Sequence, residues 1–309
     1  MSIEVTHLFG PTPASGLEGK ITILTDSVAQ VPAETARQLD IRIVPSTITF
    51  DGRTYLDGVD LDPDDLYRRM RLEKELQVTT SAPSAGQFYQ AFLGCLDSGA
   101  GTVLYLGLTS RLSGTFSAAV GGALLSREEF GDRQIVLVDT HIATIAQGFL
   151  VISAARLAAE GASLEAILEH VRLARTRTGL AAGLETLEYL ARGGRIGRVA
   201  YMLGSAIHIL PVVTIDENGE VSPIGRAHSH HHMLEQILHY VEKHAAGCPR
   251  LRLAVMHSDS LSYAEQLQTL AAERLHPQEM LLTSFTPVMG AHAGPGLLGL
   301  AYYGEEYEN

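Results

Sequence analysis

The sequence predicts an α/β protein of two domains, the first built on a parallel sheet with helices on both faces (an α/β/α sandwich) and the second on a mixed or antiparallel sheet. Three observations lead to this prediction. The chain has 309 residues, which favours two domains. Apolar runs alternate with helical segments in the first half, as in parallel sheets. The second half has a hairpin signal at residues 217–219. We place the domains at residues 19–176 and 177–309, after an N-terminal extension of residues 1–18 that we expect to be loose.

In the first half, each element is predicted from an apolar run or from a helix-start signal. Short apolar runs at residues 21–25 and 134–138 predict buried strands of the parallel sheet. Asp62-Pro63 is followed by two acidic residues and predicts a helix start, because aspartate caps backbone N–H groups and proline suits the first turn. The other predicted elements are strands at residues 41–50 and 102–108 and helices at residues 32–39, 84–97, 113–130, 143–160 and 163–175.

The second half alternates strands and helices less regularly. The run Arg192-Gly193-Gly194-Arg195 ends a short predicted helix, because paired glycines favour a turn. Ser262 begins a sequence typical of a capping box and predicts a helix to residue 275. The glycine-rich segment 289–296 is predicted as a loop. The other predicted elements are strands at residues 178–184, 211–216, 221–226 and 251–256 and helices at residues 185–191 and 230–245.

Charge and composition exclude several classes of function. The net charge of −12 argues against nucleic acid and anionic membranes as partners, because both are bound by lysine and arginine. No apolar run approaches the about 20 residues of a membrane helix. The N-terminal residues do not have the pattern of a signal peptide, and the two cysteines, Cys95 and Cys248, lie far apart in the sequence. We therefore expect a cytoplasmic protein with reduced thiols and no integral membrane segment.

Polar residues follow three of the predicted strands. Asp26-Ser27 follows the first strand, residues 109–115 follow the second, and Asp139-Thr140 follows the third. Ligands of parallel sheets bind at the carboxyl ends of the strands, so these residues are expected to meet at one edge. The sequence therefore predicts a binding site at this edge, with Asp26, Ser27, Asp139 and Thr140 as secondary candidates.

The turn Ser113-Gly114-Thr115 stands where a helix begins. A helix start exposes unpaired N–H groups and favours an anion, and glycine lets a ligand approach the backbone. Ser113 on its own is also explained as a helix cap. No G-x-S-x-G elbow and no phosphate-loop motif is present, so neither a serine nucleophile nor a nucleotide site is predicted.

Two other segments are candidate binding elements. The hydroxyl-rich loop that contains Thr80 and Ser81 is either a ligand contact or an ordinary turn before a helix. Residues 290–300 contain four glycines and His292, and they are either a tight loop or a backbone segment that approaches a ligand. The histidines at 228, 230, 231 and 232 have poor metal-ligand spacing and are better explained as a solvated face.

Taken together, these segments resemble the DegV family of bacterial fatty-acid-binding proteins, over nearly all of residues 21–304. The motifs that carry the resemblance keep the family's order and spacing. They are Thr25-Asp26-Ser27, Tyr55-Leu56-Asp57-Gly58-Val59-Asp60, Thr80-Ser81-Ala82-Pro83-Ser84, Leu112-Ser113-Gly114-Thr115-Phe116, Val138-Asp139-Thr140, Leu190-Ala191-Arg192-Gly193-Gly194-Arg195-Ile196 and His292-Ala293-Gly294-Pro295-Gly296.

The resemblance implies a long-chain fatty acid buried between two α/β domains and no catalytic residues. It implies that Thr80 and Ser113 hydrogen-bond the carboxylate, with His292 nearby. We add the neighbouring Ser81, Gly114 and Thr115 to this candidate site. We expect no metal and no cofactor other than the bound acid.

Some members of the family present the bound acid to a separate fatty acid kinase, which makes acyl phosphate. Arg195 and Arg226 stand where such members contact the kinase and its phosphate. This chain departs from the pattern after the hairpin, where histidines at residues 228–232 replace a run of lysine and arginine. The departure argues against kinase docking more than against lipid binding.

Two other functions remain open at the level of sequence. Asp26, Asp139 and His292 are candidate acid and base groups of an enzyme that acts on a small phosphorylated or carboxylated substrate. Alternatively, the chain is a regulatory module with a structural lipid.

Overall fold

The computed structural model of the chain describes residues 4–7, 19–73, 75–202, 209–248 and 250–305. By their internal contacts these residues form two compact units. The first unit comprises Met1–Ser46 and Ser81–Thr176, and the second comprises Thr47–Thr80 and Arg177–Asn309. The predicted first domain, residues 19–176, includes residues 47–80, whereas the contacts group that segment with the C-terminal unit.

The strands are β1 (Glu4–His7), β2 (Lys20–Asp26), β3 (Arg42–Val44), β4 (Thr47–Phe50), β5 (Arg53–Leu56), β6 (Thr79–Ser81), β7 (Ala100–Gly107), β8 (Gln134–Asp139), β9 (Thr178–Gly183), β10 (Leu210–Ile215), β11 (Val221–Ala227), β12 (Leu251–His257), β13 (Glu279–Ser284) and β14 (Leu298–Gly304). The helices are α1 (Ala33–Gln38), α2 (Pro63–Leu72), α3 (Ala85–Asp97), α4 (Thr115–Leu125), α5 (Arg127–Phe130), α6 (Thr144–Ala159), α7 (Leu164–Arg175), α8 (Glu188–Arg192), α9 (His230–His244), α10 (Leu261–Leu275) and α11 (Pro287–Ala293). Short 3₁₀ turns cover Ser27–Ala29 and Gly197–Met202.

The sheet of the first unit has the strand order β1-β8-β7-β2-β3. All neighbours from β8 to β3 are parallel. Side chains of one strand alternate between two cores: Leu104 and Leu106 pack in a cluster with residues of α6 and α7, and Val103 and Tyr105 pack in a cluster with residues of α3 and α4. Successive side chains of the strand thus point to opposite faces, and helices cover both faces of the sheet. This arrangement confirms the predicted α/β/α sandwich.

Residues Glu4–His7 add an antiparallel edge strand to this sheet, beside β8. The prediction that residues 1–18 form a loose extension is therefore wrong for residues 4–7. Their alternation is too short to stand out in the sequence, and only pairing with a buried strand makes them a β-strand. Residues 1–3 and 8–18 of that predicted extension lie outside the described residues.

The second unit has a six-stranded sheet in the order β11-β10-β9-β14-β12-β13. Its neighbours are antiparallel except for β12 and β13, which are parallel. The sheet is thus mixed, and the predicted fold class is confirmed. Strands β5, β4 and β6 form a separate three-stranded sheet.

Several predicted elements differ from the structure in detail; for example, the strand predicted at residues 41–50 is two strands, β3 and β4, which belong to different sheets. The helix predicted from residue 113 begins at Thr115, with Gly114 at the N-cap. The capping box predicted at Ser262 is absent, because α10 begins two residues earlier than predicted, with Ser260 at its N-cap and no side-chain cap bond. The loop predicted at residues 289–296 is mostly helix, since α11 extends to Ala293. No helix within the described ranges is both long and apolar enough to span a bilayer.

Candidate functional site

Asp26, at the end of β2, is completely buried and has four hydrogen-bond donors around its carboxylate. The Tyr105 hydroxyl, the Leu108 amide and the Gln147 side-chain amide donate to Oδ2 at 2.9, 3.0 and 3.2 Å. The Val28 amide donates to Oδ1 at 3.2 Å. Burial raises the pKa of Asp26 to about 6, although these donors act to lower it. The carboxylate thus ties together the loops after two strands and helix α6.

Asp139 and Thr140, at the end of β8, are also buried. The backbone amides of Ser110 and His141 donate to the Asp139 carboxylate at 3.0 and 2.9 Å. The Thr140 hydroxyl donates to the Gly107 carbonyl at 2.7 Å. These side chains link the end of β8 to the end of β7 and the loop that follows it, and their oxygens bind protein groups.

Ser27 has the same kind of role as these three residues. Its hydroxyl accepts a hydrogen bond from the Ser46 amide at 3.2 Å and is buried. The secondary candidates at the strand ends therefore have structural partners within the first unit, a result that favours an architectural function for them.

The turn Ser113-Gly114-Thr115 begins helix α4 in the first unit. The Ser113 and Thr115 hydroxyls are 2.8 Å apart, and the Thr115 amide donates to Ser113 Oγ at 3.3 Å. Gly114 occupies the N-cap and makes no side-chain cap bond. The two hydroxyls have two O–H protons, and the hydrogen bond between them uses only one. This helix start therefore keeps a donor for an external acceptor.

Thr80 and His292 lie together in the second unit. Thr80 is in β6 and His292 is near the end of α11, and their Oγ1 and Nε2 atoms are 2.8 Å apart. Both side chains are partly buried, whereas the adjacent Ser81 is exposed. The structure therefore brings together two of the predicted carboxylate ligands that are separated by 212 residues in sequence.

The imidazole of His292 is neutral at physiological pH. Burial is the main cause, and the positive charge of Arg195 adds to it; together they lower the pKa of His292 to about 4. A neutral imidazole carries one N–H, on either Nδ1 or Nε2. Within the part of the chain that the structure describes, the buried Nδ1 has no hydrogen-bond partner.

This environment decides where the proton of His292 lies. An N–H at Nδ1 would be a buried donor without an acceptor, which is more costly than a bare nitrogen lone pair. We therefore assign the proton to Nε2, from which it is donated to Thr80 Oγ1. The Thr80 hydroxyl then accepts from His292 and keeps its own proton for another acceptor. The pair is thus a preorganised, uncharged hydrogen-bond donor.

Helix α11, which carries His292, is held by residues far away in the sequence. The Val288 amide donates to Asp57 Oδ1 at 3.0 Å. The Tyr67 hydroxyl donates to the carbonyls of Phe285 and Thr286 at 2.5 and 3.0 Å. Neither Asp57 nor Tyr67 is predicted from the sequence as a site residue. The motif Tyr55–Asp60, which contains Asp57, is the sequence feature that could have indicated it.

The glycines around His292 are explained by close packing. A Cβ atom at Gly290 would lie 2.0 Å from the Tyr67 ring, and one at Gly294 would lie 2.2 Å from the Tyr189 ring. Gly294 also has φ of +80°, which favours glycine after a helix end. The side chains of the protein itself thus account for these glycines, without a ligand that approaches the backbone.

The basic and histidine-rich candidates lie in the second unit. Arg195 donates to the Gly193 carbonyl, and the exposed Arg226 stacks its guanidinium over the Tyr201 ring at 5.4 Å. The His228 and His232 rings are 6.2 Å apart between centroids, and His230 stacks on Tyr263. Among the described residues, no group of three or more histidine, cysteine, aspartate or glutamate side chains is arranged to hold a metal.

Known proteins of one family are similar to this chain along most of its length. The family model described as "Uncharacterised protein, DegV family" matches residues 20–305. A DegV domain-containing protein of Caldanaerobacter subterraneus is 30% identical over 283 residues, which cover 92% of this chain and 98% of that protein. A DegV domain-containing protein of Deinococcus radiodurans is 32% identical over 286 residues, with coverage of 91% and 97%.

Solved structures give a matching result. A fatty-acid-binding DegV family protein from Thermus thermophilus is similar to this chain with a TM-score of 0.85 and 32% identity, over 93% of this chain and all of that one (100%). DegV of Bacillus subtilis, described as a fatty acid binding protein, has a TM-score of 0.81 and 26% identity, with coverage of 93% and 100%.

Proposed function

Because this chain belongs to the DegV family, we propose that it binds a long-chain fatty acid and acts as a carrier rather than as an enzyme. The relatives from Thermus thermophilus and Bacillus subtilis, which are described as fatty-acid-binding proteins, support this proposal. The observation that carries it in this chain is the Thr80–His292 pair, which offers a neutral hydrogen-bond donor for a carboxylate.

In this proposal the Thr80 hydroxyl donates to one carboxylate oxygen of the bound acid. A buried carboxylate is costly unless it is hydrogen-bonded, and hydrogen bonds to an ionised acceptor are about twice as strong as neutral ones. No positive charge is needed in contact with the head group, since neutral donors suffice. The turn Ser113-Gly114-Thr115 and Ser81 remain predicted contacts of the same carboxylate.

The acyl chain supplies most of the affinity. At about 0.8 kcal/mol per buried CH₂, a chain of about sixteen carbons contributes on the order of 10 kcal/mol before the cost of ordering the ligand. The head group then determines orientation and selects acids over other lipids.

The alternative, enzymatic function would use two carboxylates that already accept hydrogen bonds from the protein itself. Asp26 and Asp139 accept hydrogen bonds from backbone amides, and both are completely buried. A general base needs an oxygen within reach of the substrate proton, and these oxygens face donors of the protein. This arrangement favours a carrier over an acid–base enzyme.

We also propose that the carrier presents its acid to a fatty acid kinase. Arg195 and Arg226 are the residues expected to contact that partner, and the exposed position of Arg226 suits such a role. Histidines at residues 228, 230, 231 and 232 stand in place of a lysine- and arginine-rich run, which predicts weaker electrostatic docking than such a run would give.

Native mass spectrometry of the purified protein tests the proposed function. We expect a co-purified long-chain fatty acid, and saturable binding of oleic acid after delipidation. A delipidated, folded protein without saturable binding would contradict the carrier function. Formation of acyl phosphate from the bound acid, with a fatty acid kinase that transfers the γ-phosphoryl group of ATP to the acid's carboxylate and releases ADP, tests the presentation step. If no such kinase phosphorylates the bound acid, or if the acid bound to an R226A variant is phosphorylated at the wild-type rate, the assigned role is contradicted.

A further inference from the structure

Gly193 lies directly against the imidazole of His292. A Cβ atom at position 193 would lie 2.3 Å from His292 Nδ1 and 3.1 Å from its Cε1. Atoms in real proteins do not approach so closely, so the ring would have to move. The side chain at this one position therefore determines whether His292 can occupy its place beside Thr80.

The backbone of Gly193 does not itself require glycine. Its φ is −74° and its ψ is −10°, a right-handed conformation that every residue adopts. The next residue, Gly194, has φ of +70° and open space around it. The two adjacent glycines thus have different causes: Gly194 is needed for its backbone angle, and Gly193 is needed for the space that it leaves.

The position of Gly193 is fixed by the end of helix α8. Its amide donates to the Tyr189 carbonyl at 3.0 Å, and its carbonyl accepts from the Arg195 guanidinium. The Arg195 amide donates to the Leu190 carbonyl at 2.9 Å. With three hydrogen bonds on this turn, the backbone cannot withdraw easily from an added methyl group, so His292 must yield.

We propose that Gly193 is a positioning residue of the fatty-acid site: its missing side chain lets the His292 ring lie with Nδ1 against the peptide backbone and Nε2–H toward Thr80. The inference rests on the proposed function for its effect on binding, but not for its effect on the ring. A ring displaced by about 1 Å loses the 2.8 Å contact and with it the donor that orients the Thr80 hydroxyl.

A Gly193→Ala variant tests this role with Gly179→Ala as its matched control. Gly179 lies in β9 of the same unit, and a Cβ there would lie 2.5 Å from the Tyr302 hydroxyl oxygen, a comparable clash with a side chain that has no part in the site. Nitrogen-15 NMR of the delipidated proteins at pH 7 reports the tautomer of His292. We expect the Nε2–H form in the wild type and in G179A, and a different tautomer balance in G193A. An unchanged His292 signature in G193A overturns the proposal.

A double-mutant cycle with His292→Ala gives a second readout, which needs no ligand. Removal of the ring makes room for the methyl group, so G193A is expected to lower the melting temperature in the wild-type background and to have little effect in H292A. If G193A alone fails to fold while the double variant folds, the coupling is equally established. Equal losses in both backgrounds, or a double variant that does not fold, overturn the proposal.

Oleic acid affinity links the ring position to function. G193A is expected to bind about tenfold more weakly, while G179A binds as the wild type does. Wild-type affinity in G193A overturns the positioning role in binding. If the wild type itself binds no oleic acid, the proposed function fails, and the NMR and melting experiments still decide whether Gly193 positions His292.

Discussion

The buried carboxylates of the first unit and the Thr80–His292 pair of the second unit are both polar clusters, yet their hydrogen bonds are distributed differently. Asp26 accepts from four donors of the protein, and Asp139 accepts from two backbone amides. Thr80 and His292 contact each other and leave the Thr80 hydroxyl proton available. Hydrogen-bond saturation, more than burial, therefore separates an architectural cluster from a binding cluster.

The largest effect is expected when the saturated cluster is broken. Asp26→Ala leaves two backbone amides, the Tyr105 hydroxyl and the Gln147 amide without their acceptor, and is expected to lower the free energy of unfolding by about 4 kcal/mol. Urea unfolding measures this change. The exposed Asp97→Ala is the control and is expected to change stability by less than about 0.5 kcal/mol. A decrease of less than about 1 kcal/mol in the free energy of unfolding of D26A would contradict the structural role of Asp26.

The two clusters are expected to respond to pH with opposite signs. The pKa of Asp26 is raised from 3.8 to about 6, so the native state holds this proton more tightly and stability falls as pH rises from 4 to 6. The pKa of His292 is lowered from 6.5 to about 4, so stability rises over nearly the same window. Each contribution is on the order of 3 kcal/mol.

Single variants separate these opposed contributions. Asp26→Asn removes the falling contribution and should make stability rise more steeply between pH 4 and 6. His292→Gln removes the rising contribution and should reveal the fall due to Asp26. Urea unfolding at half-unit pH steps measures both slopes. Identical pH profiles for the two variants would contradict the assigned electrostatics.

A smaller effect is expected at the hydroxyls that begin helix α4. Ser113→Ala removes the hydroxyl that contacts Thr115 and is expected to weaken fatty acid binding by roughly 1–3 kcal/mol, the cost of a lost hydrogen bond to a charged group. Titration calorimetry with oleic acid measures it, and Ser117→Ala on the exposed side of the same helix is the control. An affinity equal to that of the wild type removes Ser113 from the site.

The smallest effect is expected at Ser84, a hydroxyl of the Thr80–Ser84 motif that has a structural partner. Ser84 caps helix α3 because its hydroxyl accepts from the Gln87 backbone amide at 3.2 Å, and the Ser84 backbone amide donates to Gln87 Oε1 at 2.9 Å. Ser84→Ala is expected to cost about 1 kcal/mol of stability. Its oleic acid affinity should be that of the wild type. A fall in affinity with unchanged thermal stability would give Ser84 a ligand role instead.

Much of the fold follows from local sequence signals. The apolar run at 134–138 became β8, and Asp62-Pro63 became the start of α2, with the Asp62 carboxylate accepting from the Asp64 amide at 2.9 Å. These signals work because strand burial and helix capping involve neighbouring residues. The division of the sheet faces also follows from two-residue alternation in the strands.

Other features depend on contacts between distant residues and therefore leave no local signal. Glycines at 290 and 294 predict a loop, but most of the segment forms helix α11. These glycines instead leave space for the rings of Tyr67 and Tyr189. Segment 47–80 groups with the C-terminal unit, partly because Tyr67 donates to Phe285 across 218 residues. Only the resemblance to a family predicts that Thr80 and His292 belong to one site, since no spacing rule connects these two residues.

Binding of oleic acid and of its methyl ester to delipidated wild-type and Thr80→Val protein tests the proposed role of Thr80. Valine keeps the shape of threonine and removes the hydroxyl; Thr79→Val, on the same strand with an exposed side chain, is the control. We predict that T80V weakens binding of oleic acid about tenfold or more and leaves binding of the uncharged ester unchanged. An equal loss for both ligands, or no loss for the acid, would contradict the claim that Thr80, oriented by His292, binds the carboxylate.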